Sequence, residues 1–114
     1  MKEFNRVTGA IGETQAEQYL KKNKYKILAR NYKNILGEID IVAKQKDTII
    51  FVEVKKRETY RFGRPSEAVD EFKQHKLRKV ALYYLKQFNQ MDSPCRFDVI
   101  EIVGDNLNHI ENAF

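Results

Sequence analysis

Residues 48–54 read Thr-Ile-Ile-Phe-Val-Glu-Val, and this segment restricts the fold more than any other. Successive side chains of an extended chain point to opposite faces. Ile50, Val52 and Val54 therefore line one face, and Ile49, Phe51 and Glu53 the other. A strand that is apolar on both faces must be covered on both, which makes it a central strand of a layered domain. The face carrying Ile49 and Phe51 then turns charged, through Glu53, Lys55 and Arg57.

The neighbouring segments supply the layers. Residues 38–43 alternate with period two, Ile39, Ile41 and Ala43 on one face and Glu38, Asp40 and Val42 on the other. A polar turn at residues 44–47 joins the two strands in an antiparallel hairpin. Upstream, residues 9–23 read as a helix with Thr8 as N-cap and Ile11, Ala16, Tyr19 and Leu20 on its apolar side. Residues 26–32 form a short strand. Residues 58–65 contain Gly63 and Pro65 and read as a loop. A long second helix is expected from a Ser66 cap to residue 88, with Glu67, Asp70 and Glu71 near its positive end. Its buried stripe is Val69, Phe72, Leu77, Val80, Ala81, Tyr84 and Phe88. Residues 96–103 alternate again, Gly104-Asp105 turns the chain, and residues 107–114 add a final short strand. The expected fold is a single mixed α/β domain over residues 1–114, in the order αβββαβ with an extra C-terminal strand.

Composition narrows the chemistry. A chain of 114 residues supports one modest core. A lone cysteine, Cys95, excludes an internal disulfide and a cysteine-based zinc site, and His75 and His109 fall in different elements. No long apolar run predicts a membrane span and no apolar stretch near the start predicts a secretory leader, so a cytoplasmic protein is expected. The net charge of +5 points mildly to a polyanionic partner. Basic residues cluster at Lys21, Lys22, Lys24, Lys26, Arg30 and Lys33, and again at Lys55, Lys56, Arg57, Arg61 and Arg64. Such runs are usually solvated surface and gain meaning only beside a reactive site.

A reactive site is what the hairpin offers. With the turn centred between Gln45 and Lys46, Asp40 lies opposite Phe51, and Asp40 and Glu53 become diagonal neighbours roughly 7–8 Å apart. Two carboxylates so placed raise each other's pKa or share a hard cation such as magnesium. Lys55, two residues beyond Glu53, shares its face and can orient or deprotonate a water or stabilise a phosphate. Glu13 falls on the apolar side of the first helix, where a carboxylate is costly without a partner. Each residue alone has an ordinary reading: a strand ion pair for Glu53 and Lys55, a solvent-facing acid for Asp40, a surface acid for Glu13. Together they form a constellation. Lys73 and Lys76, near the buried stripe of the second helix, either reach this site or snorkel to solvent. Tyr60 and Phe62, set among Arg57, Arg61 and Arg64, could stack on unpaired bases, and Asp98 reads as structural.

This combination of Asp40, Glu53-Val54-Lys55 and a helical Glu13 resembles the PD-(D/E)XK nuclease superfamily with its restriction-endonuclease-like fold. More closely the chain resembles the small bacterial YraN family, related to archaeal Holliday-junction resolvases. The matching segments are Gly9-Ala10-Ile11-Gly12-Glu13, Ile27-Leu28-Ala29-Arg30-Asn31, Gly37-Glu38-Ile39-Asp40, Phe51-Val52-Glu53-Val54-Lys55, Lys73 and Arg96-Phe97-Asp98-Val99. One departure is Ile39, which stands where the superfamily name places proline.

The resemblance implies Asp40 and Glu53 as ligands of Mg²⁺ or Mn²⁺, with the Val54 carbonyl as a third and Glu13 holding the metal directly or through water. Lys55 would act on the water or the phosphate. Arg30, Lys56, Arg57, Arg61, Arg64 and Lys73 are the expected nucleic-acid contacts. The expected function is a metal-dependent endonuclease acting on structured or branched DNA. A homodimer would supply the two sites that a symmetric double cut needs. The alternatives are a catalytically silent nucleic-acid-binding module and an accessory protein of a DNA-processing assembly.

Overall fold

The computed structural model describes residues 2–57 and 69–114, with side chains from residue 9 on. The chain runs α1 (Lys2–Lys22), β1 (Lys26–Asn34), β2 (Gly37–Gln45), β3 (Thr48–Arg57), α2 (Glu71–Gln87), β4 (Cys95–Val103) and β5 (Asn106–Ile110). The expected order αβββαββ is therefore observed. The five strands form one sheet in the order β1-β2-β3-β4-β5. All neighbours are antiparallel except β3 and β4, which run parallel. A parallel pair needs a crossover, and α2 is that crossover.

The doubly apolar β3 is central, as its pattern requires. Ile50 and Val52 pack with Ala16 and Leu20 of α1, together with Ile41, Ala43, Ile100 and Ile102. Ile49 and Phe51 pack with Leu77, Val80, Ala81, Tyr84 and Leu85 of α2. One helix thus covers each face of the sheet, which gives an α/β architecture consistent with a restriction-endonuclease-like core. Phe51 meets Tyr84 edge-on and stacks on Phe97. The helix α1 stops where Lys24 takes a left-handed φ of 70° and Tyr25 N–H returns to the Leu20 carbonyl at 2.9 Å.

Several local expectations are corrected. The first helix starts at Lys2, so Thr8 lies inside it and is no N-cap. Nothing from Lys2 to Thr8 breaks a helix, and Gly9 weakens one by only about 1 kcal/mol. Ile11 is exposed rather than packed. The second helix is capped by Asp70, whose side chain accepts the Lys73 N–H, and begins at Glu71 instead of at Ser66. Its buried stripe gains Leu85, loses the exposed Phe72 and Phe88, and leaves Val69 buried ahead of the first turn. The loop at residues 58–65, with Ser66 and Glu67, lies outside the described residues. The first strand runs on to Asn34, and the last ends at Ile110 rather than at residue 114.

Helix α1 approaches the sheet closely at Gly12. A Cβ there would stand 2.9 Å from Cβ of Lys56 on β3. The contact is with the rigid base of that side chain, so the backbones must separate. Gly12→Ala gains helix propensity but overpacks this contact, and a net loss of about 1 kcal/mol is expected. It should show as a lower urea midpoint with an unchanged slope.

Candidate functional site

Strand pairing brings the charged residues together, with a register different from that expected. Gln45 pairs with Thr48 and Ile41 with Val52, so the turn is Lys46-Asp47, and Asp40 and Glu53 are the next residues along the two strands. They face each other more directly than the diagonal arrangement predicted. The β2–β3 ladder ends at Ile41 and Val52, whereas β1 and β2 stay paired to Gly37. Strict alternation in β2 breaks at this point. Ile39 joins the core under α2, while Ile41 and Ala43 join the core under α1. In place of a ladder bond, Asp40 Oδ2 accepts the Val54 N–H at 2.8 Å.

The pair is electrostatically strained. Glu53 is only 8% exposed. Burial, the Glu53 charge and a shared hydrogen bond with Glu53 push the Asp40 carboxyl up to about 8, with Glu13 adding to the shift and the Val54 N–H opposing it. Asp40 therefore keeps its proton at neutral pH and offers it to Glu53 in that hydrogen bond. Two ammonium groups converge on Glu53 Oε1, Lys55 Nζ at 3.6 Å and Lys73 Nζ at 3.3 Å. Burial and then the hydrogen bond it shares with Lys73 lower the pKa of Lys55. Burial works against the charge on Lys73 too, but its bonds to Lys55 and Glu53 outweigh burial and hold its pKa above the usual value.

Glu13 and Arg30 form a separate pair at the edge of this cluster. Glu13 comes from α1, on the other side of the sheet. Arg30 on β1 reaches Glu13 and Glu17, each at 3.6 Å, and donates to the Ala10 carbonyl at 2.9 Å. It pins α1 to the sheet edge. Among the described residues, no three His, Cys, Asp or Glu side chains stand close enough together to enclose a metal unaided. The donor set that exists is Asp40 and Glu53, which suits a hard cation that fills its other positions with carbonyl, water or phosphate oxygen. Lys56 and Arg57 are partly buried at the end of β3. Arg61 and Arg64, with Tyr60 and Phe62, lie outside the described residues.

Sequence reading left Lys73 between reaching this site and snorkelling to solvent, and the first turn of α2 aims the side chain at Glu53. It passed over Glu101, 1% exposed and paired in register with Lys55 across β3 and β4. Glu101 accepts from Asn108 Nδ2 at 3.1 Å. A lone acid inside Val99-Ile100-Glu101-Ile102-Val103 was the available signal. A second polar cluster lies on the α1 side, where buried Asp98 accepts from Arg96 and the Asn112 N–H and bonds His109, which in turn meets Tyr19.

The model of the uncharacterised protein family UPF0102 matches residues 12–102. The chain belongs to the UPF0102 family. This is the YraN family that the sequence motifs resemble. The matched span takes in Glu13, Asp40, Glu53, Lys55, Lys73 and Asp98. A UPF0102 protein of Caldanaerobacter subterraneus is 47% identical over 122 aligned residues, covering 100% of both chains. One of Alkaliphilus oremlandii is 49% identical, covering 97% of this chain and 100% of its own. One of Clostridioides difficile is 47% identical, covering 96% of this chain and 98% of its own. Among the described residues no helix is long and apolar enough to cross a membrane.

Proposed function

We propose that this UPF0102 protein is a metal-dependent nuclease of the PD-(D/E)XK type, hydrolysing phosphodiesters in structured or branched DNA. The observation that carries the reading is the buried Asp40–Glu53 pair with Lys55 and Lys73 on one of its oxygens. A buried carboxyl held beside a second carboxylate, with its pKa pushed up to about 8, is poorly placed for the protein alone. The pair is well placed to exchange the Asp40 proton for a divalent cation.

Asp40 and Glu53 would hold Mg²⁺ or Mn²⁺, with the Val54 carbonyl as a further oxygen and Glu13 acting through a water. When bound, the cation supplies a Lewis acid and a more acidic water. The protein groups divide the remaining work. Lys55, whose pKa burial lowers, would orient the attacking water or take its proton. Lys73 stays charged and stabilises the negative charge that builds on the phosphate. The basic residues Lys56 and Arg57, with Arg61 and Arg64 close by in sequence, would grip the backbone and make binding salt-sensitive. Two such sites in a homodimer would cut two strands symmetrically.

The test is cleavage of labelled duplex, single-stranded, flap and four-way-junction DNA in Mg²⁺, Mn²⁺ or EDTA. Cutting that requires metal is expected. Lys55→Ala should lower the rate about 10²–10⁴-fold, the usual contribution of a general acid–base group. Binding without cutting, in every metal and on every substrate, would sink the nuclease reading in favour of a silent binding module.

A further inference from the structure

The outer surface of α2 carries a pattern that the site itself does not use. Phe72, Lys76, Lys79, Tyr83 and Lys86 are all exposed. At 100° per residue they fall within about 40° of one line along the helix. Phe72 is 81% exposed, an unusual cost for a phenyl ring at the first turn of a helix. The helix holds five basic residues against one acid, so it carries four of the net +5 charges of the chain. The line begins one residue from Lys73, which reaches Glu53, and extends ~21 Å to Lys86. The β1–β2 turn flanks it, because Gly37 approaches Lys76 so closely that a Cβ would meet its Cε at 3.2 Å.

We propose that this stripe binds a single strand of nucleic acid and leads it to the Asp40–Glu53 site. The lysines stand about 4.5 Å and about 10.5 Å apart along the helix axis, so a phosphate backbone laid along the stripe meets all three. Phe72 and Tyr83 offer ring faces that only unpaired bases can stack on, because duplex bases are already stacked on one another. The strand-binding surface rests on α2 alone. Its role in delivering substrate rests on the nuclease reading, which it deepens by naming an unpaired strand, such as a flap or a junction arm, as what reaches the site.

The experiment is fluorescence anisotropy with labelled single-stranded DNA, single-stranded RNA and a hairpin duplex in EDTA, where nothing is cut. Phe72→Ala with Tyr83→Ala should weaken single-strand binding at least tenfold and leave duplex binding within twofold. Reversing Lys76, Lys79 and Lys86 to Glu should weaken binding further. Replacing them by Gln should flatten the slope of log affinity against log salt by about two for three lost contacts. Circular dichroism and Tm report folding, which these exposed positions should not alter. Equal affinity of all variants for single strands, or equal losses on duplex and single strand in the aromatic variant, would overturn the proposal. Comparison of the DNA and RNA arms shows which strand is preferred. A protein that binds through the stripe yet never cuts would retain the stripe and lose the nuclease reading, whereas one that cuts with unchanged affinity in all variants would do the reverse.

Discussion

Asp40→Asn is expected to lower metal-dependent cleavage roughly a thousandfold and, in EDTA, to make the protein more stable. The two effects have one cause. Asparagine keeps the shape of aspartate, and its oxygen can still accept the Val54 N–H that Asp40 Oδ2 accepts at 2.8 Å. Its amide can donate to Glu53, where Asp40 must share a proton or repel. The substitution removes a buried charge without leaving a buried group unpaired, and a gain of about 2 kcal/mol follows near pH 8. For a domain of this size that is a Tm roughly 5–10 °C higher. The cost is a ligand oxygen, so cleavage should fall by several kcal/mol of transition-state stabilisation, roughly a thousandfold.

The pH dependence carries a sign that separates this account from a simple packing effect. An unfolded aspartate titrates near 3.8, and the folded Asp40 at about 8. Between those values the folded protein holds a proton that the unfolded chain gives up. Metal-free stability therefore falls as pH rises through that window. Asp40→Asn should flatten this slope, and at pH 8 Mg²⁺ should raise the Tm of the native protein but not of the variant. A variant less stable than the native protein in EDTA would show that burial and repulsion do not govern Asp40.

The order of elements along the chain and the doubly covered β3 were legible because the period of the apolar residues, and burial on both faces of one strand, are written in the sequence. The acids were legible for the converse reason: Glu53 interrupts an apolar face, and Glu13 interrupts the stripe that ends in Ala16 and Leu20. What the sequence hid is set by tertiary geometry. The turn could be centred one residue either way in a polar segment, and Asp40 changes partner with that choice. Lys73 has an ordinary helical context, and only the docking of α2 on β3 brings it to Glu53. The start of α2 was misplaced because Ser66, Glu67 and Asp70 carry similar capping chemistry, and Asp70 caps the helix. Phe72 was assigned to the core on periodicity alone, and its exposure turned a packing residue into part of the α2 stripe.

Asp98→Ala is expected to cost about 3–5 kcal/mol, the largest stability loss of these substitutions, because it strands several partners at once. Asp98 has no solvent exposure. It accepts from Arg96 Nε at 3.0 Å and the Asn112 N–H at 2.9 Å, and meets His109 Nε2 at 2.7 Å. Removal leaves the Asn112 N–H without this acceptor and Arg96 with only Tyr25 and Glu111. The C-terminal chain should loosen with it, since Ala113 N–H closes on the Phe97 carbonyl beside the same cluster. Burial alone would raise the pKa of Asp98, but the bonds from His109, Arg96 and Asn112 outweigh it and hold the carboxyl below the usual carboxylate range. Its contribution is therefore present above the unfolded carboxylate pKa and lost as pH falls through the lower folded value. Urea denaturation of both variants from pH 3 to pH 8, with exchange of the Asn112 amide, reads this directly. Asp98→Ala should lose the acid limb of the stability curve, and Asp40→Asn the decline toward pH 8. A loss below about 1 kcal/mol for Asp98→Ala would mean that this network is not what anchors β4 and β5. The same residue type thus has opposite consequences on the two faces of one sheet. On the α1 face every lone pair of the carboxylate meets a donor that stabilises the fold, and on the α2 face a second carboxylate leaves it to be satisfied by a proton or a cation.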